Sequence, residues 1–250
     1  MDSITEITSG IKPTSIHSSF VPLSHPATIV ELAGPPGAGK TTVCRHLSGL
    51  LKEKDLQVLT LQDVKDHIQS LSLYRKLLLF TTTLFSTGHL LFSYSLSLVA
   101  QRIFSASSIY RYVRLSIFNT ALQQIIASKA IDIVLLEQWI IQELWSATIF
   151  NHNSYQHFAT TPRPFYFKVN YVFYLDIDPE TASERIQNRS TNLSRFDRMP
   201  ADQRLKELHR CNDYLFQIYK NSGCKNKFII STQHSPALTA EHIMQHLGLV

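Results

Sequence analysis

Eight consecutive residues, Gly34-Pro35-Pro36-Gly37-Ala38-Gly39-Lys40-Thr41, fit the pattern G-x-x-x-x-G-K-S/T in full. Each residue type has a physical reason to be there. Glycines let the backbone turn tightly and approach phosphate oxygens with no Cβ in the way. The loop N–H groups, and those of Lys40, Thr41 and Thr42 at the start of the helix that follows, form an anion cradle. The Lys40 ammonium is placed to reach β- and γ-phosphates, and the Thr41 hydroxyl to ligate Mg²⁺. The expected ligands are therefore ATP and Mg²⁺. A guanine-reading N-K-x-D pattern is missing, since Asn226-Lys227 is followed by Phe228-Ile229, which argues against a GTPase.

A second group of residues carries positive charge. Arg185 and Arg189 are four apart on an expected helix, so they share one face. Arg195 and Arg198 lie just beyond, on an expected flexible turn. Four guanidiniums converging on one spot suit a transferring phosphoryl group, whose charge spreads over several oxygens. A lid over 185–200 that closes with both substrates bound would also exclude water. Taken alone, the same segment reads rather as a solvated basic helix in which Glu180 and Glu184 pair with Arg185, Arg189 or Asn188.

The run Tyr174-Leu175-Asp176-Ile177-Asp178-Pro179-Glu180 through Arg185 to Arg189 resembles a segment of thymidylate kinases and deoxynucleoside kinases. In those enzymes a strand ends in L-D-x-x-P-E and a helix carries R-x-x-x-R. Arg195-Phe196-Asp197-Arg198 is similar to the R-F-E that closes their lid. The resemblance implies a P-loop kinase acting on a small-molecule acceptor, a nucleoside or nucleotide, with a five-stranded parallel sheet in the order 2-3-1-4-5. It also implies roles for two acids: Asp63, after strand two, as the base for the acceptor hydroxyl, and Glu137, after strand three, as the metal-side acid. The chain departs from the family pattern where Gln138-Trp139 stands in place of an arginine after the strand-three acid. A kinase of a non-nucleotide alcohol, and an acceptor-less ATPase or nucleotide switch with a partner-binding helical region, are the alternatives.

The elements that must position these residues are legible as patterning. Apolar runs at 28–33, 57–61, 131–136, 171–175 and 227–231 read as five strands, separated by helical periodicity. Near-unbroken apolar strands alternating with helices predict an α/β sandwich, a parallel sheet covered on both faces. Helices are expected over 40–52, 110–127, 140–150, 179–189 and 201–221, and from the last strand to His246. Asp178 and Pro179 supply an N-cap and first-position proline. Residues 64–130 carry only helical patterning and form the expected acceptor-side region; 1–27 read as a loose tail ahead of a kinase domain over 28–250.

Composition sets the remaining bounds. A formal charge of +5 without a run of five like charges is no strong nucleic-acid signal. Leu77–Ala100 lacks any Asp, Glu, Lys or Arg, yet Ser and Thr interrupt it and its apolar pairs recur every seven residues. That stripe reads as a buried or partner-facing helix rather than a membrane span, and an exposed stripe would favour a homodimer. Three widely spaced cysteines (Cys44, Cys211, Cys224) show neither metal spacing nor a disulfide framework, which fits a reducing, cytoplasmic setting. The eleven histidines show no zinc pattern. Trp139 and Trp145 read as core residues or as platforms for a base.

Overall fold

The computed structural model describes residues 27–100, 106–148, 169–189 and 194–250. Residues 1–26 of the expected tail, 149–150 of the expected helix over 140–150 and 190–193 of the expected lid lie outside them.

Five strands form one all-parallel sheet in the order β2-β3-β1-β4-β5. They are β1 (Thr28–Ala33), β2 (Val58–Thr60), β3 (Ile133–Leu136), β4 (Tyr171–Asp176) and β5 (Asn226–Ser231). Helices cover both faces. These are α1 (Lys40–Lys52), α2 (Leu61–Ser70), α3 (Leu73–Ala100), α4 (Ala106–Ser128), α5 (Ile140–Thr148), α6 (Pro179–Gln187), α7 (Ala201–Lys220) and α8 (Pro236–His246). The sheet order and layering agree with the expected sandwich.

The central strand decides where chemistry can happen. β1 pairs with β3 from Thr28↔Ile133 to Glu31↔Leu136, and with β4 from Val30↔Tyr171 to Ala33↔Tyr174. In open parallel sheets ligands sit beyond the carboxyl ends of the strands. The glycine-rich loop leaves the end of β1, so Glu137 after β3 and the chain after β4 emerge on either side of it.

Two of the small shifts in strand boundary have a side-chain hydrogen bond as their cause. β2 stops at Thr60 because Thr60 becomes the N-cap of α2: its hydroxyl accepts from the Asp63 N–H, and Asp63 Oδ2 accepts from the Thr60 N–H at 2.7 Å. This reciprocal box satisfies two helix-end donors and turns the chain into helix. β3 starts at Ile133 because Asp132 is spent on the strand edge, its Oδ2 accepting from the Gln57 N–H at 2.7 Å. By contrast, α6 starts as expected, with Asp178 Oδ1 accepting from the Thr181 N–H at 2.7 Å. That bond holds the Asp178 carboxyl below the usual aspartate range.

The helical region between β2 and β3 resolves into α2, α3 and α4. Leu79 and Thr83 on α3 are buried, and the Thr83 hydroxyl donates to Thr120 Oγ1 on α4 at 3.0 Å. The opposite face is apolar and open: Leu77, Leu78 and Leu84 are exposed, and Phe85 is 92% exposed. No helix among the described residues is long and apolar enough to cross a membrane. Cys44 and Cys211 are buried and Cys224 half-buried, all three as free thiols. Burial, with Glu137 and Asp63 nearby, pushes the Cys44 thiol up to about 12, so it stays neutral.

Candidate active site

The glycine-rich loop is shaped by two glycines whose positions admit nothing larger. Gly34 has φ 149°, and a Cβ there would lie 2.6 Å from the Leu175 carbonyl oxygen. Gly37 has φ 91°, and a Cβ would lie 2.7 Å from the Ala182 carbonyl oxygen. The loop is thus packed against the end of β4 and against α6. Gly39 is the N-cap of α1 and contributes no capping side chain. The first N–H groups of α1 therefore have no side chain to satisfy them, which is the arrangement an anion needs.

Lys40 lies folded back over this loop. Its Nζ donates to the carbonyls of Gly34 at 2.7 Å and Pro35 at 2.9 Å. Burial brings its pKa down to about 7, Arg189 nearby adds to the shift, and Glu137 opposes it. The ammonium is therefore short of negative charge, which phosphate oxygens would supply.

A cleft of about 780 Å³ opens over the loop. Pro36, Gly37, Gly39, Lys40, Thr41 and Thr42 form one part of its lining, with both threonines exposed. Arg189, Ser194, Arg195 and Phe196 form another. Arg189 lies 3.9 Å from Asp197 Oδ1. The Arg195 guanidinium sits 4.9 Å from the Phe196 ring centroid and 5.8 Å from that of Trp145. Burial lowers the Arg195 pKa.

The other expected arginines stand elsewhere. α6 ends at Gln187, and Asn188 (φ −81°, ψ 3°) carries the chain out of helical geometry. Arg185 and Arg189 thus fail to share a helix face. Arg185 donates instead to the Thr232 carbonyl at 2.8 Å, tying α6 to the end of β5, and does not line the cleft. Arg198 is exposed and also outside the lining. Glu180 pairs with His209 at 3.1 Å rather than with an arginine.

The segment 194–199 is a pinned turn. The Ser194 N–H donates to Asp197 Oδ2 at 2.7 Å, and the Asp197 N–H donates back to Ser194 Oγ at 3.2 Å. Phe196 is buried and stacks on Trp145 at 6.3 Å between centroids. Trp145 is therefore both a core residue and part of the cleft wall, while Trp139 is buried.

The two acids also separate. Asp63 is occupied by the α2 cap and does not line the cleft. Glu137, next to β3, also stands outside the cleft lining, but it keeps a buried Oε2 with no hydrogen-bond donor. An orphaned carboxylate oxygen within electrostatic reach of Lys40 suits a hard cation or its water shell. With the exposed Thr41 hydroxyl, it fits Mg²⁺ arriving on a nucleotide. Among the described residues no group of three or more His, Cys, Asp and Glu forms a metal cluster.

Several cleft residues escape a motif-based reading. α4 contributes Arg111 and Arg114, and α5 contributes Gln142 and Glu143. Glu143 bridges both arginines, taking Arg111 Nη1 at 3.3 Å and Arg114 Nη2 in a short contact. One signal was available: these arginines are the only charged residues of α4, so no acid on their own helix can pair with them. Glu31 is the other. It is 1% exposed in the middle of β1, and its Oε1 accepts the Ile141 N–H at 2.8 Å. A carboxylate on an N-terminal N–H favours the helix start, so the buried acid anchors the helix that carries Gln142 and Glu143.

Neither a scan of family models nor a search of curated proteins finds a match to the chain.

Proposed function

We propose that the chain is a P-loop phosphotransferase of the thymidylate kinase and deoxynucleoside kinase kind, moving the γ-phosphoryl group of ATP to a small-molecule acceptor. The observation that carries this reading is the shared cleft: Lys40 and Thr41 of the phosphate loop line the same space as Arg189 and Arg195. A simple nucleotide-binding site needs the loop; stabilising a transferring phosphoryl group needs cations on further sides of it.

In this mechanism the loop N–H groups and Lys40 hold the phosphates. Arg189 and Arg195 face the charge that develops in the transition state. The Ser194–Asp197 turn, buried through Phe196, holds Arg195 over the cleft. Thr41 and Glu137 would hold Mg²⁺, which when bound neutralises phosphate charge. Lys40 enters short of negative charge, so phosphate contact restores its full ammonium character.

A second reading has its own observation. The open apolar face of α3, with Leu77, Leu78 and Phe85 exposed, suits a partner or a second copy. A nucleotide switch that acts through that face would hydrolyse ATP slowly without an acceptor and faster with the partner.

The deciding experiment is ATP turnover with Mg²⁺ against nucleosides, nucleoside monophosphates and small alcohols, with wild type and Lys40→Ala in parallel. Acceptor-dependent ADP formation that vanishes in the variant supports the kinase. Turnover unaffected by Lys40→Ala, or hydrolysis indifferent to every acceptor, refutes it.

A further inference from the structure

The phosphate loop accounts for the positive charge at one part of the cleft, but the lining holds more. Five cations, Lys40, Arg111, Arg114, Arg189 and Arg195, face one carboxylate, Glu143. An adjoining recess of about 80 Å³, which shares Arg114 and Glu143, adds Lys65. Arg111 and Arg114 come from α4, remote in sequence from the phosphate loop. Glu143 engages one nitrogen of each, so it aligns the two guanidiniums while leaving the trio with net positive charge. Their remaining N–H groups are still available to an anion.

Gln142 points to the same space from the other direction. It is 8% exposed, lines the cleft, and its Oε1 has no donor. A buried carbonyl in that state is costly unless a ligand completes it. The missing group is an O–H or N–H.

The placement of the acids restricts the nucleophile. An acceptor hydroxyl needs a base to take its proton. Asp63 is spent on the α2 cap outside the cleft, Glu137 also stands outside its lining, and Glu143 is held by two arginines. A phosphomonoester needs no base, because its oxygens are already ionised at neutral pH.

We propose that Arg111, Arg114, Glu143 and Gln142 form an acceptor site for a molecule that already carries a phosphomonoester and an O–H or N–H donor. This rests on the phosphotransferase reading. An oxygen of the acceptor phosphate attacks the γ-phosphorus of ATP. The bond from that phosphorus to the β–γ bridging oxygen breaks, its electron pair leaving with ADP, and the acceptor becomes a diphosphate. No proton is transferred.

The test uses the full chain, nucleosides paired with their own 5′-monophosphates, and two readouts: phosphoryl transfer from ATP, and equilibrium binding of each compound to the ADP-loaded protein. Monophosphates should bind and be converted, and their nucleosides should not. Arg114→Gln should weaken monophosphate binding about 10- to 100-fold with ADP affinity nearly unchanged. Arg111→Gln should weaken monophosphate binding by a similar factor, again with ADP affinity nearly unchanged; a trio that merely braces α4 on α5 would instead lower urea stability and ADP affinity together. Conversion of nucleosides as readily as monophosphates, no binding by any monophosphate, or an equal loss of ADP affinity in Arg114→Gln overturns the proposal. Transfer to neutral hydroxyls alone leaves the kinase standing and removes this site. Arg114-dependent monophosphate binding without any transfer does the reverse.

Discussion

Lys40 Nζ donates to the carbonyl of Gly34, six residues before it, at 2.7 Å. The lysine is thus held by its own loop, buried and with its pKa near 7, before any ligand arrives. Nucleotide binding should therefore take up a proton. Calorimetry in buffers of different ionisation enthalpy should show uptake approaching about one proton at pH 8–9, where ATP is fully ionised, and little at pH 6. Uptake that does not change with pH would count against the buried ammonium.

The same shift has a stability consequence. The unfolded chain keeps the lysine proton up to its ordinary value of 10.5, and the native chain releases it near 7. Between those values the unfolded state binds more protons, so this group makes stability rise with pH across the window. Below pH 7 its destabilising effect is fully present. Lys40→Met removes the group, so urea denaturation should show the variant's advantage over wild type greatest near pH 6 and shrinking towards pH 10.

The loop glycines should not be equivalent. Gly34→Ala and Gly37→Ala each force a Cβ against a carbonyl at 2.6 and 2.7 Å, and both also carry positive φ. The backbone strain alone is worth about 1–3 kcal/mol, and either the loop or its neighbour must move. Gly39 has φ 80° but open space around its absent Cβ. Gly39→Ala should cost about 1–2 kcal/mol through conformation only. Thermal melts with and without ADP separate the cases: the first two should lose nucleotide stabilisation, the third should retain part of it.

Arg185 and Arg189 should part company on mutation. Arg189→Ala removes a cation from the cleft, and kcat should fall about 10²–10³-fold. Arg185→Ala breaks the tie to Thr232 and should cost about 1 kcal/mol of stability with turnover nearly intact. Steady-state kinetics beside urea unfolding decides; equal losses of kcat would mean that both arginines serve the reaction.

Glu31 should matter through α5. Glu31→Ala leaves the Ile141 N–H without its acceptor and should cost about 1–3 kcal/mol. Glu31→Gln keeps an acceptor oxygen and should cost less. Hydrogen exchange at Ile141 reports directly: faster exchange in the alanine variant than in glutamine is the expected order.

The glycine-rich loop over 34–41 was legible in the sequence because its shape is set by backbone conformation. Glycine at the positive-φ positions, then lysine and threonine opening a helix, are contiguous choices with local causes. Strand positions followed from apolar runs and strand order from the family resemblance, and side-chain hydrogen bonds explain the small boundary shifts at Thr60 and Asp132. What spacing could not decide was which charged residues meet. Arg185 and Arg189 look like helix neighbours until the helix stops at Gln187. Arg111 and Arg114 find Glu143 at sequence separations of 32 and 29, across two helices that sheet order alone does not bring together. Side-chain pairing depends on where helices end and on how they pack. Both are settled by burial and capping over the whole domain, so only the tertiary structure decides which cations face the cleft.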